Sequence, residues 1–303
     1  MIERVCVVGA GVIGSLFAGH LARVAEVNCL VRRDDHARAL NEHGLRISGR
    51  HHFVGRLTAA TTPNDLFEPD LVLHCTKTTA LESAAAALAG HFPGATMMTT
   101  QNGLGAEEII RRYGDWPIVS AVTFMSGTKR SDNEVDYVLD TPTWLGPYED
   151  TPYESVDEIA HLLADAGLKA QPLRDVRPAQ WSKLIFNATV NGVAALTGLP
   201  HDFHFADPEH LGGLVHELTA EGKRVAAAAE VELHEDPWEM NVLATRRGSA
   251  HYPSMLEDVE TEQPTEVELI NGALVREAER LGVDAPHQVA LYSLVSGREA
   301  AYS

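Results

Sequence analysis

Two periodicities alternate along the first half of the chain. Short unbroken apolar runs give way to stretches whose apolar residues recur every three or four positions. Residues 4–8, 26–31, 70–75, 95–100 and 116–124 are of the first kind and predict short buried strands. Residues 15–25 are of the second kind, with Leu16, Phe17, Leu21 and Val24 in helical spacing. So are 35–43, closed by Gly44, then the alanine-rich 80–89, and 104–113. Residues 45–60 predict one or two short strands around a turn at Gly49-Arg50, and 125–147 several polar, β-prone pieces paired antiparallel. A helix over 155–166 and a strand over 170–174 follow. From Pro178 on the pattern is helical: 178–197, 207–230, 237–247 and 267–281. Strand and helix in alternation predict an α/β fold, a Rossmann-type doubly wound and mostly parallel sheet. The helical remainder predicts a second, all-helical domain. The boundary falls near residue 175, giving a dinucleotide-binding domain over 1–175 and a helical substrate or catalytic domain over 176–303.

The first strand runs into Gly9-Ala10-Gly11-Val12-Ile13-Gly14, a G-x-G-x-x-G turn that opens a helix. Gly9 permits the tight turn. Gly11 lets a pyrophosphate approach the backbone. Gly14 allows close packing of helix on strand, with the phosphates at the positive helix end. Alone the pattern is weak, but strand before and helix after make it a dinucleotide site. The second strand ends at Arg32-Arg33, where NAD-type sites place an acid on the ribose. An arginine there pairs with a 2′-phosphate, so the expected cofactor is NADP(H). Asp34 and Asp35, next in line, also suit a helix cap.

Composition narrows the function. The chain has 303 residues, is 45% hydrophobic and carries a net charge of −19. Such an acidic chain is not expected to bind nucleic acid through its overall field. No run approaches the roughly 20 apolar residues of a membrane span. The N-terminus reads as a structural strand rather than a signal peptide, so a cytoplasmic location is expected. Cys6, Cys29 and Cys75 lack the spacing of a disulfide framework or a metal site. The scattered histidines, among them His51-His52, His201, His204 and His210, lack a ligand frame and read as solvated surface. No metal is expected. A helical second domain leaves room for a homodimer.

Two later stretches carry polar residues in an apolar setting. Lys183, Asn187 and Asn191 are spaced four apart on one helical face, flanked by Leu184, Ile185, Phe186 and Val190. Asparagine is disfavoured mid-helix, so the stripe points to a site rather than a solvated face. A lysine so placed can give a proton to a developing alkoxide. The other stretch holds Ser254-Met255, Asp258, Thr265-Glu266 and Asn271-Gly272. Thr265-Glu266 opening a helix is equally a cap arrangement, and Ser254 equally a cap for Met255 onward. Spacing alone does not choose.

In order along nearly the whole chain, these motifs, together with Lys77 after a strand and Gln101-Asn102-Gly103, resemble the ketopantoate reductase family. Its members make pantoate for coenzyme A synthesis. The resemblance implies NADPH-dependent reduction of ketopantoate (2-dehydropantoate), a small 2-keto acid. It makes Lys183 the general acid, with Glu266 assisting at the reacting centre. Asn102 and Lys77 would lie beside nicotinamide and substrate. Asn187, Asn191 and Ser254 would bind the substrate's hydroxyl and carboxylate, and Arg32 the 2′-phosphate. Two other readings compete: a reductase of a different branched 2-keto acid, and a dinucleotide-binding sensor without catalysis. The Lys183, Asn187 and Glu266 set argues against the sensor. Hydroxyacid and 6-phosphogluconate dehydrogenases share the domain pairing but lack the Ser-Met…Thr-Glu arrangement. The chain departs from the family in carrying Glu262-Gln263-Pro264 where many members have a basic residue.

Overall fold

The first apolar run forms strand β1 (Arg4–Val8), buried along four of its five residues. The structure, a computed structural model, describes residues 2–202, 210–246 and 253–302. On one side β1 pairs in parallel with β2 (Glu26–Leu30), on the other with β6 (Leu71–His74). Val8 thus stands opposite both Leu30 and His74. β5 (Thr58–Ala60) extends the sheet beyond β2. Beyond β6 come β7 (Thr96–Thr99), β8 (Ile118–Thr123), β11 (Thr143–Pro147) and β12 (Ala170–Pro172). Only the β8–β11 pair is antiparallel in this sheet. β6 and β8 are buried at every residue, as parallel strands covered on both faces must be. The chain leaves β1 toward β2 and later restarts at β6 on the opposite side. That makes the carboxyl ends of β1 and β6 the switch point, where doubly wound sheets bind ligands.

Helix α1 (Val12–Leu21) lies between this sheet and a second one. The second sheet joins β3 (Leu45–Gly49), β4 (Phe53–Gly55), β9 (Ser126–Ser131) and β10 (Glu134–Leu139) in the order β4-β3-β10-β9. Every residue from Gly14 to Leu21 is buried, so the helix has no polar face. Gly19 makes the packing possible, since a Cβ there would stand 2.6 Å from Ile47 Cδ1. The expected helix over 15–25 is therefore shifted: Gly11 is its N-cap, and residues 22–25 turn back toward β2. Residues 45–60 give three strands rather than one or two, and β5 leaves its neighbours for the large sheet. The polar pieces over 125–147 pair antiparallel as β9–β10 and β8–β11, but β10 runs parallel to β3. Helices α2 (Asp34–His43), α3 (Thr78–Ala87), α4 (Ala106–Arg111) and α5 (Tyr153–Asp165) complete this unit.

The second unit is helical and is built on α6 (Arg177–Thr197). α7 (Leu211–Ala228), α8 (Pro237–Arg246), α9 (Ser254–Glu260), α10 (Asn271–Leu281) and α11 (Pro286–Glu299) make up the rest. Trp181, Leu184, Ile185 and Ala188 of α6 share one core with Leu218, Val225, Leu274 and Val295. Gly222 of α7 admits Ile185, whose Cγ2 would lie 2.7 Å from a Cβ there. Asn271 Nδ2 donates to the Ala188 carbonyl (2.9 Å) and to Gln288 Oε1 (3.0 Å), tying α10 to α6. Chain contacts divide the protein after Val176, and they group residues 102–105 with the helical unit although these follow β7 in sequence. The expected helix over 267–281 starts four residues late, at Asn271. Residues 267–270 form turns instead, and the Leu269 carbonyl accepts from Leu104 N rather than from a following helical turn.

His201 is buried at 3% exposure and faces the Phe186 ring, against the surface position expected for it. His51 is half-buried, with its Nδ1 2.8 Å from His20 Nε2. His204 lies outside the described residues. Among the described residues no helix is long and apolar enough to cross a membrane.

Candidate active site

The glycine turn of the α/β unit is built for close approach. Gly9 has φ +91°, and a Cβ there would stand 2.9 Å from Thr76 Cγ2 and 3.0 Å from Thr76 N. A Cβ on Gly14 would lie 1.9 Å from the Gly9 carbonyl oxygen, a contact no side chain survives. Gly11 differs: it is exposed, and nothing lies within 4 Å of where its Cβ would be. Two glycines thus lock the turn against Cys75 and Thr76, just past β6, and the third leaves space at the helix start. Ala10 is buried, while Val12 and Ile13 form the half-buried first turn of α1. The leading N–H groups of a helix lack intrahelical acceptors, so this cradle fits a pyrophosphate.

The two arginines after β2 are not equivalent. Arg33, the N-cap residue of α2, is ion-paired with Asp35 (2.8 Å) and Asp132 (2.5 Å). Arg32 is exposed and makes no ion pair with a described residue. Lys77 is exposed at the N-cap position of α3, one residue beyond the Thr76 that backs Gly9.

In the helical unit, Asn187 and Asn191 are nearly buried, at 7% and 5% exposure, along the same line of α6 as the half-buried Lys183. Burial pushes the Lys183 ammonium down to about 8, against an upward pull from the Glu266 carboxylate. Glu266 in turn accepts a hydrogen bond from Asn102 Nδ2 at 2.8 Å. Asn102 reaches it through a clamp: Leu104 N donates to the Leu269 carbonyl (3.0 Å), and Leu104 packs into the helical core. Gly103, at φ +92°, is what lets the strands of chain pass, since a Cβ there would lie 1.9 Å from the Leu269 oxygen. Lys183, Glu266 and Asn102 thus form one polar group, with Asn187 and Asn191 continuing it along α6. Ser254 is the exposed first residue of α9, which packs along α6. Of the two roles the sequence leaves open, it does not act as a side-chain cap. Thr265 Oγ1 accepts from Val267 N, a local turn bond that leaves Glu266 off any helix. An ammonium with its pKa lowered toward neutrality beside a carboxylate is suited to general acid work. The part played by Gly103 escapes the sequence reading, because its close neighbour Leu269 is distant in sequence. Among the described residues no cluster of His, Cys, Asp and Glu is placed to hold a metal ion.

The comparisons with known proteins agree on the family. The family described as Ketopantoate reductase PanE/ApbA matches residues 5–150, and its C-terminal counterpart matches 175–299. A 2-dehydropantoate 2-reductase of Pyrococcus abyssi is 27% identical over 298 residues, covering 98% of each chain. One from Archaeoglobus fulgidus is 29% identical over 300 residues, covering 99% of each. Among solved structures, a PanE/ApbA family ketopantoate reductase from Ralstonia eutropha superposes with TM-score 0.90 at 26% identity, covering 99% of each chain. D-mandelate dehydrogenase with NADH and anilino(oxo)acetate gives TM-score 0.89 at 23% identity over 99% of each, a likeness of fold alone. The chain belongs to the ketopantoate reductase family, a family of oxidoreductases.

Proposed function

We propose that the protein is an NADPH-dependent reductase of a small 2-keto acid, with ketopantoate the substrate and pantoate the product. The observation that carries this reading is the Lys183–Glu266–Asn102 group on the helical unit, in a chain whose α/β unit presents an open glycine cradle. The α/β unit is the dinucleotide-binding domain, and the helical unit supplies the acid and the substrate contacts. Gly9 through Gly14 hold the pyrophosphate, Arg32 the 2′-phosphate, and Lys77 and Asn102 the nicotinamide end. When bound, NADPH supplies the hydride that reaches the carbonyl carbon.

Lys183 answers the charge that grows on the ketone oxygen and delivers a proton to it, leaving a hydroxyl and a neutral amine. The nearby Glu266 carboxylate favours the charged form of that amine and so keeps the acid loaded. The Asn102 amide fixes one carboxylate oxygen of Glu266 and so orients it. Asn187, Asn191 and Ser254 bind the substrate's hydroxyl and carboxylate. A second reading keeps the reaction and takes a different branched 2-keto acid; a D-mandelate dehydrogenase shares the fold. Steady-state kinetics with NADPH and a panel of 2-keto acids decide between them. The proposal expects the highest kcat/KM for ketopantoate. Turnover of none of the panel, with intact dinucleotide binding, contradicts it.

A further inference from the structure

The small sheet contributes a lysine to the back of the glycine turn. Lys129 lies on β9, two residues from Gly127 and so on the same face of the strand. That face runs against α1: a Cβ on Gly127 would stand 3.2 Å from Val12 Cγ1. From there the half-buried Lys129 Nζ donates to the Ala10 carbonyl (2.6 Å) and to Ser15 Oγ (2.8 Å). Ser15 Oγ itself donates to the same Ala10 carbonyl, at 3.1 Å. Ala10 is the middle residue of the turn, between Gly9, which packs against Thr76, and the open Gly11. Its carbonyl is therefore anchored twice from one side, through groups that belong to another sheet and to α1.

We propose that Lys129 is a positioning residue for the dinucleotide pyrophosphate: it holds the Ala10 carbonyl turned away from the ligand and sets a positive charge behind the turn. The proposal rests on the dinucleotide reading of the cradle. A carbonyl free to swing would bring its negative end toward the phosphates, and the ammonium both prevents this and adds a favourable field. The charged and titratable groups around Lys129 are Asp132 after β9, Arg33 and His36 at α2, and the Cys29 thiol of β2. α1 contributes the Ser15 hydroxyl. Burial lowers the Lys129 ammonium to about 8, against the upward pull of Asp132. The charge behind the turn is thus lost as pH rises through that value.

The test uses ligands that need no catalysis, with the full-length protein. Calorimetry measures 2′-phospho-ADP-ribose, which carries the pyrophosphate, against 2′-AMP, which lacks it, for wild type, Lys129→Met and Lys129→Arg. The proposal expects Lys129→Met to weaken 2′-phospho-ADP-ribose about tenfold, as for a lost charge-assisted contact, and to leave 2′-AMP unchanged. Lys129→Arg restores most of the loss and removes the pH dependence near 8. Equal binding of 2′-phospho-ADP-ribose by wild type and Lys129→Met overturns the proposal, as does equal weakening of both ligands. Should Lys129→Met not fold, the wild-type pH series decides. Affinity for the pyrophosphate ligand that falls between pH 7 and 9 supports the proposal, and a flat profile overturns it. A wild-type protein that binds neither ligand would instead refute the dinucleotide reading itself.

Discussion

Two arginines that the sequence leaves interchangeable are separated by their neighbours. Arg33 is spent on Asp35 and Asp132, and the second of these lies in the turn between β9 and β10. Arg32 stays exposed without such a partner, which makes it the cation available to a 2′-phosphate. Arg32→Ala is expected to weaken NADPH by about 1.5–3 kcal/mol, the scale of a hydrogen bond to a charged group, and to leave NADH almost unchanged. Equilibrium binding of both cofactors to the variant checks this, and equal losses for the two would sink the assignment. At this scale the spacing of Lys183, Asn187 and Asn191 was readable because a helix repeats every 3.6 residues. The carboxylate that acts on Lys183 is named by the family resemblance and not by spacing, since only folding brings Glu266 to it.

Apolar runs identified the central strands well, because a parallel strand covered on both faces must be apolar throughout. Polar pieces carry no such constraint, so the run over 125–147 did not disclose that β10 would pair in parallel with β3. Nor did it disclose that Lys129 would reach Ala10. The start of α10 was misplaced for a related reason: the Leu269 carbonyl is claimed by Leu104 N, a partner far away in sequence. That clamp depends on Gly103, which has φ +92° and where an added Cβ would lie 1.9 Å from the Leu269 carbonyl oxygen. Gly103→Ala is expected to destabilise the protein by more than the ~1–3 kcal/mol of left-handed strain alone and to lower kcat at least tenfold, by pulling Asn102 from Glu266. Gly90 provides the comparison, with φ +79° and nothing within 4 Å. Gly90→Ala should show the strain in thermal unfolding and leave kcat unaltered. Matching kcat values for the two variants would argue against the clamp.

Across the whole molecule, length and alternation of periodicities made the α/β-then-helical order legible, and the sequence motifs made the family legible. What remained hidden is how buried polar groups are satisfied. His20 and His74 are both fully buried, and burial pushes each down to about 4. His20 Nδ1 lies 2.8 Å from the Leu16 carbonyl, whereas neither ring nitrogen of His74 has a partner. Both stay neutral in the folded protein below the pH at which they charge in the unfolded chain. The unfolded state therefore binds more protons between about pH 6.5 and 4, and stability falls as pH drops through that window. Each group contributes about 1.4 kcal/mol per pH unit there. Replacing His74 by leucine should flatten the acid limb of denaturant stability by that slope, and an unchanged limb would show that His74 does not stay neutral. One variant separates proton delivery by the helical unit from cofactor binding by the α/β unit. For Lys183→Ala, kcat with NADPH and the preferred 2-keto acid is measured alongside the Kd for NADPH. The expected kcat is lower by about 10²–10⁴, the usual cost of losing a general acid, with the Kd unchanged within about twofold. A variant that turns over near the wild-type rate would remove Lys183 from the chemistry and contradict its role as the acid.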